Sequence, residues 1–120
     1  LRAETAPVAA TALVDGAPVP GAERPVLSPV DGATVVGTVV EPPPAAATAA
    51  MAAAAAGFPA WRATAPAVRA AALRRAADLL EARRARFLAL LAREAGKTLA
   101  DGIAEVREAA DFCRYYAAEE

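Results

Sequence analysis

The chain has 120 residues, a formal net charge of −1, 38 alanines, one cysteine and no histidine. A single cysteine excludes an internal disulfide, and without histidine the common zinc sets and Cys/His catalytic pairs cannot be assembled. With no basic block and few aromatics, the chain has no electrostatic footprint for nucleic acid, and no nucleic-acid partner is expected.

The length suffices for one small domain, but alanine buries little surface, so a large core from this chain alone is not expected. Residues 1–44 hold eight of the ten prolines and four of the seven glycines. Residues 1–43 therefore read as an extended N-terminal arm with short strands, and residues 44–120 as helical. In "TALVDGAPV" the Asp15-Gly16 pair lies between two apolar runs, a hairpin signal because glycine accepts positive φ. "PVLSP" and "ATVVGTVV" are two more strand candidates, joined through the turn pair Asp31-Gly32. Isolated hairpins are marginal in water, so these strands need a surface to lie on.

Residues 45–56 are alanine apart from Thr48 and Met51, a composition of high helix propensity, and Gly57 with Pro59 predicts the end of this first helix. Its apolar run of twelve residues is shorter than the ~20 needed to span a bilayer. No basic flank precedes it, so no signal peptide is read, and a reducing cytoplasmic location is expected. A second helix is predicted from a Thr64 N-cap, uninterrupted by Gly or Pro from Ala67 to Ala95, ending at Gly96. It would be roughly 43 Å long. Leu73, Leu80, Phe87 and Leu91 recur on one side of it as a buried stripe. Thr98 and Asp101 form a capping box that opens a third helix, running past Tyr116. The arm is thus expected to lead into three mainly antiparallel helices.

In the third helix, "VREAADFCRYY" holds the only cysteine. A helical projection puts Ile103, Val106, Ala110, Cys113 and Ala117 on one narrow apolar face, which makes Cys113 a packed thiol. No base, metal or helix N-terminus is at hand to lower its pKa. The opposite face collects Asp101, Glu105, Glu108, Phe112 and Glu119, flanked by Tyr115 and Tyr116. Such a face is solvated or meets a partner domain, or else it walls a pocket, and the residues alone leave these readings open.

Other motifs are weaker. "REAGKT" lacks the glycine five residues before Gly-Lys that a phosphate loop requires, because position 91 is leucine. Lys97 is expected to interact with the carbonyl end of the second helix. Arg83, Arg84 and Arg86 read as a solvated helix face. Trp61, in "GFPAW", is expected to pack the connection between the first two helices.

The segments "SPVDGATVVGTVV", "GFPAW", "RAAALRRAADLLE", "EAGKT" and "EVREAADFCRYYA" together resemble the N-terminal part of the aldehyde dehydrogenase superfamily over about residues 10–118. The last two look most like the glutamate-semialdehyde (pyrroline-5-carboxylate) dehydrogenase module of bifunctional proline utilization enzymes. The resemblance implies an α/β aldehyde dehydrogenase fold in a longer protein, of which this chain supplies the strand arm and leading helices of the NAD-binding domain. It also implies oxidation of an aldehyde through a cysteine thiolate, with NAD as hydride acceptor, by residues outside this chain. Cys113 does not match the catalytic cysteine's motif, so no catalytic, cofactor-binding or metal-binding residue is assigned here. FAD is implied only if a proline dehydrogenase domain precedes the chain.

The same resemblance places Glu108, with Phe112 and Glu105, beside an aldehyde access tunnel. Glu108 would receive the α-ammonium of the substrate, and Phe112 would line the wall one turn later. The partners implied are the remainder of the same dehydrogenase chain, a small-molecule aldehyde and further copies in a homo-oligomer. The alternatives are an aldehyde dehydrogenase of other specificity, or a free-standing alanine-rich helical interaction module. Two departures from the family pattern stand out: prolines occupy the start of the first helix where an acid often sits, and Val68 replaces an acid before Arg69.

Overall fold

A computed structural model describes residues 8–120; the first seven residues of the expected arm lie outside the described residues. In chain order the elements are β1 (Val8–Thr11), β2 (Leu13–Val14), β3 (Ala17–Pro18), β4 (Ala22–Leu27) and β5 (Val35–Glu41). The helices are α1 (Ala45–Ala63), α2 (Pro66–Ala82), α3 (Arg84–Glu94) and α4 (Leu99–Glu119).

The turn chemistry read from the sequence is realised. β2 and β3 pair antiparallel, with Leu13 opposite Pro18 and Val14 opposite Ala17. Between them Asp15 (φ 50°) and Gly16 (φ 75°) both occupy the left-handed region, as a two-residue hairpin turn of this hand requires. β5 is the centre of a three-stranded mixed sheet of order β1-β5-β4. It pairs antiparallel with β4 and parallel with β1, which gives the arm a sheet beyond its hairpins. Being central, β5 is the best covered strand, with Val36 and Gly37 buried.

The β4–β5 connection is organised by Asp31. Its carboxylate accepts from the Thr34 hydroxyl (2.5 Å), the Thr34 N–H (2.9 Å) and the Ala33 N–H (3.0 Å). These donors favour the ionised form, the Thr34 hydroxyl most, and hold the Asp31 pKa down to about 2 from an ordinary 3.8. A carboxyl depressed by folding contributes stability above its unfolded pKa, and that contribution is lost as pH falls through its folded value. The stability difference between the native chain and Asp31→Ala should therefore be constant above about pH 5 and shrink between about pH 4 and 2. Denaturation at stepped pH checks this; a difference independent of pH over that window would refute it.

The helical layer departs from the sequence expectation in three places. First, α1 does not stop at Gly57 and Pro59 but runs on to Ala63. Pro59 removes one donor to the preceding turn, but the surrounding residues are exposed, so water can satisfy the carbonyl left over. Thr64 is not the N-cap of the next helix; it closes α1, its N–H donating to the Trp61 carbonyl and its hydroxyl to that of Ala60. Ala65 takes the N-cap position, and Pro66 stands in the first turn of α2, where its missing N–H costs nothing.

Second, the predicted single helix over 67–95 is two helices, so the layer has four helices and not three. The break is at Arg83 (φ −102°, ψ 16°), whose N–H still reaches the Leu79 carbonyl while its own carbonyl starts α3. No Gly or Pro marks the site. The bend has a packing result: α2 lies along the C-terminal half of α4, and α3 covers its first turns. A Cβ added to buried Gly102 of α4 would come within 3.1 Å of Leu88 Cδ2, so α3 and α4 approach closely there and a larger residue would need Leu88 to shift by a few tenths of an ångström.

Third, Trp61 does not pack a connection. It is 54 % exposed, and no residue of α1 is buried. α1 lies against too little of the described chain to cover Met51, Phe58 or Trp61.

The closed part of the molecule is the α2–α3–α4 packing. Ala70, Ala77, Ala89, Val106, Ala110 and Ala117 are buried, with Ala77 and Ala110 at 0 % exposure, while Leu73, Leu80, Phe87 and Leu91 are half-buried. Among the described residues no large side chain is fully buried. α4 runs antiparallel to α2, as its cross-links show. Arg114 donates to both oxygens of Glu81 (3.0 and 2.7 Å), Arg74 to the Ala117 carbonyl (3.1 Å), and Arg69 to Glu120. Arg114's hydrogen bonds hold the Glu81 carboxyl below its ordinary pKa, and Glu81 raises that of Arg114.

The Cα radius of gyration is 17.0 Å, against about 14 Å for a compact domain of this length. A thin layer whose buried side chains are mostly alanine, with large apolar side chains left open, is built to be covered by more structure.

Candidate functional site

α4 carries the three candidate site residues Glu105, Glu108 and Phe112. Its first turn is fixed as read: the Thr98 hydroxyl accepts from the Asp101 N–H (3.2 Å) and donates to the Asp101 carboxylate (2.7 Å). Such a cap contributes about 1 kcal/mol and sets the rotation of all that follows. The buried stripe is Gly102, Val106, Ala110 and Ala117. It is shifted toward Gly102 by the α3 contact, which leaves Ile103 40 % exposed, at the stripe's edge and not within it as expected. Cys113 is a half-buried free thiol, not a fully packed one.

The outward face forms two adjacent ridges of i, i+4 spacing, Ala104–Glu108–Phe112 and Arg107–Asp111–Tyr115. These six residues line one open concavity of about 490 Å³. Its aromatic end is ordered by ring contacts: Phe112 stacks on Tyr116 (centroids 6.2 Å, planes 20° apart), and Tyr116 meets Tyr115 edge-on (5.3 Å, 80°). All three rings are more than half exposed, an unusual state for so much aromatic surface. Glu108 and Arg107 make no ion pair or hydrogen bond among the described residues.

The structure therefore brings Glu108 and Phe112 together and separates Glu105 from them. Glu105 accepts from Lys97 Nζ at 2.6 Å, and this hydrogen bond raises the lysine's pKa. The expectation that Lys97 serves the end of the preceding helix fails for its side chain. Gly96 (φ 63°) turns the chain there, the Lys97 backbone N–H donates to the Leu91 carbonyl, and the ammonium is left over α4. Arg107 and Asp111 were not singled out in the sequence; their spacing with Tyr115, parallel to Glu108 and Phe112, is the signal that would have found them. Arg83, Arg84 and Arg86 are exposed at the α2–α3 bend.

Among the described residues no group of His, Cys, Asp and Glu is arranged to hold a metal ion, and no helix is long and apolar enough to cross a membrane. Nor do these residues suit a dinucleotide. The strand-to-helix junction among the described residues, from β5 into α1, is Pro42-Pro43-Pro44, which offers no N–H, and the Ala46 and Ala47 N–H groups donate to the Pro43 and Pro44 carbonyls, so few donors face a phosphate there. The arrangement sets a cation and a carboxylate beside exposed aromatic rings, and no nucleophile and base are juxtaposed among its lining residues.

A family model, aldehyde dehydrogenase family, matches residues 18–120. The chain belongs to the aldehyde dehydrogenase family. It is 42 % identical over 99 residues to the bifunctional protein PutA of Escherichia coli (strain K12), covering 82 % of this chain and 8 % of that protein. It is 43 % identical over 91 residues to 1-pyrroline-5-carboxylate dehydrogenase 2 of Bacillus subtilis (strain 168), covering 76 % of this chain and 18 % of that protein. The crystal structure of an NAD-dependent aldehyde dehydrogenase from Sinorhizobium meliloti superposes with a TM-score of 0.87 at 29 % identity, over 98 % of this chain and 24 % of that one. The aldehyde dehydrogenase chain described here thus spans under a fifth of the length of these curated relatives. Its arm and four helices correspond to one part of the family's α/β fold, and its uncovered apolar surface fits that of a layer within a larger enzyme.

Proposed function

We propose that this segment belongs to an NAD-dependent dehydrogenase that oxidises L-glutamate γ-semialdehyde, the open form of pyrroline-5-carboxylate, to L-glutamate in proline catabolism. The observation that carries the reading is the identity of more than 40 % to proteins of two architectures, PutA and 1-pyrroline-5-carboxylate dehydrogenase, over most of the chain. The site supports it: the substrate has an ammonium, a carboxylate and a short apolar stem, and the α4 concavity offers a free carboxylate beside an aromatic wall. In this reading Glu108 accepts the α-ammonium and Phe112 lines the approach. NAD accepts the hydride, held by parts of the protein outside this segment, which itself supplies neither nucleophile nor cofactor site. The remainder of the same chain covers α1 and the sheet, and the enzyme works as a cytoplasmic homo-oligomer. The free-standing interaction module loses its support with the family match.

The test is NAD⁺ reduction by the full-length protein on a panel of aldehydes. Glutamate semialdehyde should have the highest kcat/KM, and residues 1–120 alone should produce no NADH. A higher kcat/KM with succinate semialdehyde or a simple alkanal would assign another specificity.

A further inference from the structure

We infer that the α2–α3 bend is a binding site for a small polyvalent phosphate anion, held between the guanidinium groups of Arg83 and Arg86, with Arg84 adding a third positive charge. The site is separate from the α4 concavity and does not depend on which aldehyde the enzyme oxidises. Ala82, Arg83, Ala85 and Arg86 line one concavity of about 390 Å³. The alanines contribute only methyl groups, so the two arginines supply all the charge of the lining, and no carboxylate opposes them. Three arginines within four residues repel one another, and a solvated helix face normally offsets such repulsion with interleaved acids. Here the acids before the bend are engaged elsewhere. Glu81 accepts from Arg114 at both oxygens (3.0 and 2.7 Å), and Asp78 lies 3.7 Å from the same guanidinium. After the bend the next acid in the chain is Glu94. In the same helical layer Arg69, Arg74 and Arg114 are hydrogen-bonded to Glu120, the Ala117 carbonyl and Glu81. Arg83, Arg84 and Arg86 by contrast are exposed, and among the described residues their side chains make no hydrogen bond or ion pair. A guanidinium fork pairs two oxygens of one phosphate, and two forks side by side suit adjacent phosphates better than a lone carboxylate. The lining has no aromatic ring or carboxylate to hold a base or a ribose, so recognition is confined to the phosphates.

Calorimetric titration of the full-length enzyme with pyrophosphate, with NAD present to fill the cofactor site, tests the inference. The native enzyme should bind pyrophosphate with a Kd of about 1 mM or below at low ionic strength, weakening as salt is added. Inorganic phosphate, which can engage only one fork fully, should bind about tenfold more weakly. Arg83→Ala and Arg86→Ala should each weaken pyrophosphate about tenfold, with the lysine variants intermediate. Arg75→Ala, which removes an exposed charge of α2 outside the concavity, should stay within about twofold. Tripolyphosphate and ATP should bind alike, because the phosphates alone are read; a strong preference for ATP would overturn that recognition. Equal weakening by Arg75→Ala would mean a diffuse positive field, and absence of binding to the native enzyme would mean that the bend is covered or merely solvated; either result overturns the inference. The substituted residues are exposed, so the variants should melt with the native enzyme; if Arg83→Ala, at the bend itself, does not, Arg86→Ala carries the test.

Discussion

Ala110→Leu is expected to destabilise the helical layer by about 1–3 kcal/mol, enough to move a thermal midpoint by several degrees. Ala110 is at 0 % exposure on the stripe by which α4 packs on α2 and α3, and Ala77 of α2 is equally closed. At such a contact the helices approach because the side chains are methyl groups, and three added carbons have no space to enter without separating them. Separation would also strain the cross-links that fix the register, Arg114 to Glu81 and Arg74 to the Ala117 carbonyl. Ala118→Leu, one residue beyond the buried Ala117 and exposed, is the control; both residues have high helix propensity, so its effect should be within a few tenths of a kcal/mol. Thermal unfolding and hydrogen exchange of the α4 amides read the two variants. Equal behaviour would mean that alanine does not set the helix spacing.

The same alanine richness decides what could be read from the sequence. Features set by a few neighbouring residues were legible: the Asp15-Gly16 hairpin, the Asp31 turn and the Thr98 cap depend on local hydrogen bonds or positive φ and form as expected. The halt at Gly57 and Pro59 was not, because a helix-breaking signal acts through an unsatisfied carbonyl, and on an exposed helix water removes that cost. The bend at Arg83 has no local cause. It accompanies the packing of α3 on α4, where Leu88 approaches Gly102, a contact between residues fourteen apart whose sequence signature is one small residue. The burial of Trp61 was misjudged because aromatics are assigned to a core by habit, whereas α1 has no core to reach in this chain. On α4, helical spacing put Glu108 beside Phe112, and the two line one concavity. It also drew in Glu105, since spacing does not reveal that Lys97, eight residues earlier, turns back at Gly96 to neutralise it.

That difference between two glutamates three residues apart gives the sharpest test of the proposed function. In the full-length enzyme Glu108→Ala should raise the KM for glutamate semialdehyde about ten- to hundredfold, the equivalent of one charge-assisted hydrogen bond of about 1.5–3 kcal/mol. kcat should change little, since the α-ammonium lies away from the reacting carbon and its binding is common to ground and transition states. Glu105→Ala should leave KM unchanged, because that carboxylate is already engaged by Lys97 and lies outside the concavity. The comparison separates a direct contact from a general loss of negative potential, since both variants remove one charge from the same helix. Equal rises in KM would point to the field of the acidic face; no rise for Glu108→Ala would remove this carboxylate from the substrate's path. A large fall in kcat at unchanged KM would place Glu108 in contact with the reacting atoms, a role its position beside two exposed aromatic rings does not anticipate.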